Sequence, residues 1–134
     1  MDTETRSYRT GGTETVLDLT RDATAYVADK GDGLLHVFVP HATAGLAIIE
    51  TGAGSDEDLL HALADLLPAD DRWRHRHGSR GHGRSHVMPA LVPPYATLPV
   101  TGGRLLLGTW QSLCLVDLNV DNAEREVRYS FLEG

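Results

Sequence analysis

The segment from Arg72 to His86 reads RWRHRHGSRGHGRSH: four of the chain's seven histidines and five arginines, with no carboxylate. Taking its +5 from the net charge of −7 leaves −12 for the remainder of the chain. A local reversal of sign on that scale concentrates anions where the rest of the surface repels them. The imidazoles also suit a metal. His75 and His77 point to one side if the chain is extended, and His82 and His86 share a face if it is helical. The segment therefore reads as a place for a phosphorylated ligand, a divalent cation or both, against the plainer alternative of a solvated charged loop. With one cysteine in the chain, no complete structural zinc signature is present, so a metal here is expected to be of the catalytic kind, with open coordination positions.

Four polar residues outside the segment can serve the same chemistry. His41 follows Pro40 at the end of an apolar run, placed either to point into a site or to sit solvated in a turn; Thr43, two residues on, can orient it or hold a phosphate oxygen. Glu50 closes the next apolar run as a metal ligand, a general base or a solvated strand end. Asp58 lies where a first-turn helix acid is favoured by the macrodipole, which is its structural alternative to a site role.

The elements that must position these residues follow from patterning. ETVLDLT alternates as a half-buried strand, Thr20 offers an N-cap for a helix over TRDATAYVADK, and GLLHVFVP and GLAIIE read as strands. Ser55 with Asp56, Glu57 and Asp58 opens a second helix whose buried stripe is Leu59, Leu60, Leu63, Leu66 and Leu67, with Pro68 at its end. Residues 69–85 carry no periodicity, and an irregular stretch of that length in a small domain is usually functional. Gly102 and Gly103 suit a tight hairpin, while the long run 104–118 is apolar on both faces, so Gly108 should bend it and something must cover its second face. Trp110, inside that run, reads as core or as an aromatic wall of the site. EREVRYSFL closes the chain as a last alternating strand, and residues 1–12 are expected to fray.

The resulting class is α+β: one compact domain over residues 1–134, a largely antiparallel sheet or sandwich carrying two helices. Two helices cannot cover both faces of such a sheet, which points to a homo-oligomer. No apolar run approaches a membrane span and the N-terminus lacks the order of a secretory signal, so a cytoplasmic protein without a membrane partner is expected. Acidic net charge, 6% aromatic residues and no recognised binding motif argue against a nucleic-acid partner. Cys114 lies in an apolar run and is expected to be a buried, inert thiol.

Taken in order, PHATAGLAIIE, the helix ending LLP, His75, the Ser85-His86 pair and LPVTGGRLLLGTWQSLCLVDL resemble the YjbQ-like family, also called the secondary thiamine-phosphate synthases, over about Leu17 to Phe131. The resemblance implies a compact α+β fold forming a homotrimer with a histidine-containing pocket near subunit contacts. It implies an activity that joins hydroxymethylpyrimidine diphosphate to thiazole phosphate, giving thiamine phosphate and pyrophosphate. Carried over by position, the implied metal ligands are His41, His75 and His86, and the implied catalytic or orienting residues are Glu50, Asp58 and Gln111 of GTWQ. Thr43, Arg72, Arg74, Arg76, Arg84 and Arg125 are the candidates for phosphate, with zinc, magnesium or manganese as the cofactor and a phosphorylated small molecule as the partner. A non-catalytic trimer that binds a metal or phosphate ligand is the alternative. The chain departs from the family pattern at Ala42 for threonine, Ile49 for asparagine and Arg84 for histidine, and Asn119 to Arg125 lack the frequent D-G-P-R.

Overall fold

The computed structural model describes residues 1–134. In chain order the elements are β1 (Asp2–Arg9), β2 (Thr15–Asp18), α1 (Thr20–Val27), β3 (Gly33–Phe38), β4 (Ala44–Ile49), α2 (Ser55–Leu66), β5 (Tyr95–Thr101), β6 (Arg104–Leu105), β7 (Ser112–Asp117) and β8 (Glu124–Glu133). Two 3-10 helices, His82–His86 and Met88–Ala90, lie between α2 and β5. The strands form two sheets, in the orders β1-β8-β3-β5-β6 and β2-β7-β4, and every pairing is antiparallel. The expected α+β class is the observed one.

β7 explains why the run 104–118 is apolar on both faces. Leu113 and Leu115 join Leu46, Leu35, Val37 and Tyr129 in the main core between the sheets. Val116 and Leu118 face the other way, into a second cluster with Leu63 and Leu67 at the α2 end and Met88 and Val92 beyond the basic loop. The cover that the sequence required for that second face is therefore α2 with the 88–92 turn, which dehydrates apolar surface on both sides of one strand. The run does break near Gly108: β6 ends at Leu105 and β7 begins at Ser112. Gly102 and Gly103, at φ +56° and +74°, form the β5–β6 hairpin, both in the left-handed region a side chain disfavours.

Four expectations need correction. Residues 2–9 do not fray; they pair along their whole length with β8, from Asp2 opposite Phe131 to Arg9 opposite Glu124. Thr20 does not cap α1, because its hydroxyl accepts the Leu113 N–H at 2.8 Å; Asp18 instead accepts the Thr20 N–H at 2.9 Å. Ser55 does not cap α2: Gly54 occupies that position without a side-chain bond, leaving Asp56, Glu57 and Asp58 to complement the first-turn amides. Trp110 sits in the turn before β7 with 73% of its surface exposed, so it is not core.

Candidate metal centre

The basic loop is anchored before it offers anything to a ligand. Trp73 Nε1 donates to Pro68 O at 2.8 Å, pulling the start of the loop onto the end of α2. Arg84 returns the other end: one guanidinium nitrogen donates to Leu67 O at 3.1 Å, and another pairs with Glu14. Gly83 lets the two ends touch, since a Cβ there would meet Trp73 Cβ at 2.4 Å. Ser79 then ties the loop's tip to the β7–β8 connection, its hydroxyl donating to Asp121 Oδ2 at 3.0 Å and its N–H at 3.1 Å.

Folded this way, the loop brings His75, His77, His82 and His86 together, with one ligand atom from each lying within 4.8 Å of the others. The close approaches run through Nε2 in every ring: His75 Nε2 meets His77 Nε2, and His82 Nε2 lies 3.0 Å from His86 Nε2. Ring centroids are 3.8–6.3 Å apart, with His75 stacked on His86. His75 and His77 are exposed, His86 is half-buried, and the His82 side chain is 6% exposed. Desolvation in the crowded loop, followed by repulsion from the neighbouring imidazoles, lowers the pKa of His75 and of His86 below the ordinary histidine value.

These residues fit a transition-metal ion. A tetrahedral ion with Zn–N bonds of about 2.0–2.1 Å separates its donors by roughly 3.4 Å, between the closest and the widest separations in this cluster. Neutral imidazoles with no oxygen ligand suit zinc, copper, nickel or cobalt, whereas magnesium and manganese prefer oxygen. Four converging rings also differ from the open, three-ligand arrangement expected from the sequence. His77 and His82 join His75 and His86, so four imidazoles are available where three were expected.

His41 is not brought to this group. It lies beside β8, where its Nε2 accepts the Glu126 N–H at 2.9 Å; burial, then the Arg125 charge, lowers its pKa. One of its two ring nitrogens is thus committed to the backbone. Glu50 and Asp58 are exposed at the end of β4 and in the first turn of α2, and Gln111 is exposed with its side-chain oxygen accepting the Gly108 N–H at 2.8 Å. None of these three belongs to the imidazole group.

The arginines divide by partner. Arg125 is buried and doubly bonded to Asp117, at 2.7 and 3.0 Å, while also donating to Thr43 Oγ1 at 2.8 Å. Asn119 donates to the same threonine at 3.2 Å, so Thr43 and Arg125 form an internal polar network rather than a free phosphate cradle. Arg84 is likewise spent on Glu14 and Leu67 O. Arg72 grips Asp70 with Nε at 2.9 Å and a terminal nitrogen at 2.8 Å. Arg74 and Arg80 are exposed, and Arg76 uses only Nε, donating to Trp73 O at 2.8 Å. A cavity of about 100 Å³ beside the cluster is lined by Trp73, His75, Arg76, Ser79, Arg80 and His82, among others. The largest cavity, about 560 Å³, lies between Asp2, Lys30, Phe131 and Glu133 and contains no imidazole.

Cys114 is buried in β7, its thiol pushed up to about 12 by burial, which keeps it protonated. No helix is long and apolar enough to cross a membrane.

Fold and site together define an α+β domain of two antiparallel sheets that carries a polyhistidine loop. The profile of the family described as "UPF0047 protein YjbQ-like" matches residues 4–134, and the chain belongs to that family. Among its relatives, a UPF0047 protein of Mycobacterium bovis is 63% identical over 119 residues, covering 89% of this chain and 92% of its own. The UPF0047 protein YugU of Bacillus subtilis is 31% identical over 117 residues, covering 82% and 84%. Of solved structures, a hypothetical protein from Aeropyrum pernix K1 superposes with a TM-score of 0.88 at 31% identity over the whole of both chains. A YbjQ-like protein of unknown function from Sulfolobus solfataricus P2 gives 0.91 at 24% identity, covering 99% and 97%, a likeness of fold.

Proposed function

We propose that His75, His77, His82 and His86 hold a divalent transition-metal ion, zinc being the best fit, beside a subsite for one phosphate group. The observation that carries this reading is the convergence of four imidazoles, one nitrogen from each within 4.8 Å of the others, next to a cavity lined by Arg76 and Arg80 as well as Asp70 and Asp71. The reaction served is the one the family resemblance implied. The C–O bond of hydroxymethylpyrimidine diphosphate breaks, its electron pair leaves with pyrophosphate, and the thiazole nitrogen forms the new C–N bond. His75, His77, His82 and His86 would hold a divalent ion that would supply Lewis acidity toward the departing oxygens. Arg76 and Arg80, with Arg74 nearby in sequence, add positive charge where negative charge accumulates.

A cavity of about 100 Å³ accommodates a phosphate but not two heterocyclic substrates, whose sites usually span roughly 300–1,000 Å³. The remainder of the pocket is proposed to come from neighbouring subunits of a homotrimer. Exposed Leu106 and Trp110, together with Leu34, Tyr95 and Leu132 on the outer face of the larger sheet, supply apolar surface for that assembly. A second reading, a metal-dependent phosphate-binding protein without turnover, is favoured by one observation: Glu50, Asp58 and Gln111 all lie outside the imidazole group of their own protomer.

The test is twofold. Zinc and cobalt are titrated calorimetrically into the metal-free protein and into His86→Ala, expecting one ion per chain and its loss in the variant. The loaded protein is then assayed for thiamine phosphate and pyrophosphate from the two phosphorylated substrates. Binding with turnover supports the transferase, binding without turnover supports the second reading, and no binding defeats both.

A further inference from the structure

Both short ring-to-ring contacts within the cluster run between Nε2 atoms, so in each ring Nδ1 is the nitrogen turned away from that contact. For His82 that outward nitrogen is buried, with no protein hydrogen bond of acceptable alignment, although Asp121 Oδ2 lies only 2.9 Å away. Asp121 is itself held on several sides. Ser79 donates to it through both N–H and hydroxyl, and its own N–H donates to Asn119 Oδ1 at 2.8 Å. A carboxylate so fixed, within hydrogen-bond distance of a buried imidazole nitrogen that lacks a partner, is the group placed to accept a hydrogen bond from it. That bond places the proton on Nδ1 and leaves the Nε2 lone pair directed at the cluster.

We infer that Asp121 is a positioning residue for the metal centre, fixing the His82 ring and its tautomer so that Nε2 is the ligand atom. The inference rests on the metal reading above. It adds a residue from the β7–β8 connection, 35 positions beyond the end of the histidine segment at His86, and it couples the loop's ion site to the sheet. The plain alternative is that Asp121 merely ties the loop tip down through Ser79.

Asp121→Asn separates the two. With its amide nitrogen in the Oδ2 position facing His82 Nδ1, the asparagine keeps its oxygen as acceptor of the Ser79 N–H, preserving part of the tie, while the amide donates toward Nδ1 and drives the proton onto Nε2. Zinc affinity of the full-length protein, measured by competition with a chromophoric chelator, is expected to fall about 10–100-fold in this variant. Ser79→Ala, which removes one bond of the tie and leaves the carboxylate, is expected to bind close to the unsubstituted protein. The cobalt-loaded visible spectrum should change in Asp121→Asn and not in Ser79→Ala. In the unsubstituted metal-free protein, nitrogen-15 shifts should report His82 protonated on Nδ1, a readout that needs no variant to fold. Equal zinc affinity and an unchanged cobalt spectrum in Asp121→Asn, or a His82 protonated on Nε2, overturn the role of Asp121 while the metal reading stands. An unsubstituted protein that binds neither zinc nor cobalt overturns both.

Discussion

Replacing Arg125 tests whether the internal network is structural or part of the phosphate site. The guanidinium is 2% exposed and the Asp117 carboxylate 1%, and the pair is joined by contacts of 2.7 and 3.0 Å. Arg125→Met keeps much of the buried stem but removes the counter-charge. Asp117 then retains only the Thr10 hydroxyl at 3.1 Å and the Asn119 N–H at 2.9 Å, while Thr43 loses a donor. Breaking a buried pair from one side costs about 3–5 kcal/mol, a large share of the roughly 5–15 kcal/mol that holds a domain of this size. The melting temperature should fall by about 10–20 °C, and urea unfolding followed by circular dichroism gives the free energy directly. Asp117→Leu combined with Arg125→Met should recover more than half of the loss, because no uncompensated charge remains. A single variant within about 1 kcal/mol of the unsubstituted protein, yet unable to bind phosphate, would refute this reasoning and return Arg125 to the ligand site.

Zinc affinity should be nearly flat above pH 7 and fall as pH drops below about 6.5, since each imidazole must shed its proton to bind. The metal-free protein should lose stability over the same range: His41, His75 and His86 all have lowered pKa values, so the unfolded chain takes up protons first as pH falls. Acid titration of stability and of zinc affinity checks both, and a rise in either on acidification counts against the cluster. Tyr8→Phe should cost about 1–3 kcal/mol by urea unfolding, because the Tyr8 hydroxyl donates to Asp22 at 2.7 Å and lies 2.5 Å from that of Tyr129. Leu106→Glu should shift the sedimenting species from trimer to monomer without loss of helix and strand signal. A Leu106→Glu trimer would place the assembly surface elsewhere.

The strands and helices that bury a face were legible because burial leaves a period in the sequence. β3, β4 and β8 announce themselves this way, and α2 does so except at Leu66, expected in its buried stripe but 67% exposed. β1 does not: DTETRSYR is exposed along most of its length, with only Arg6 and Tyr8 partly buried, and what holds it is pairing with β8 rather than an apolar stripe. The candidate ion site was half legible. The histidine-rich segment stands out by composition, but which rings converge depends on anchors far from it in sequence, Glu14 and Asp121 among them, and no local pattern reports those. His41 carries the right residue type after a strand, yet its Nε2 is taken by the Glu126 backbone. Charge counting likewise cannot separate Arg84 and Arg125, buried against Glu14 and Asp117, from arginines left open to an anion. The apolar run around Trp110 resembles a continuous strand, whereas the Gly108–Gln111 bonds form a turn there and the indole is exposed.

X-ray absorption at the zinc edge, recorded on protein loaded with one equivalent of zinc and desalted, tests the convergence of the imidazoles most directly. Four nitrogen neighbours at about 2.0 Å, with the outer-shell scattering of histidine rings, are the predicted result. Zinc lost on desalting, or a shell of oxygens without ring scattering, would contradict it.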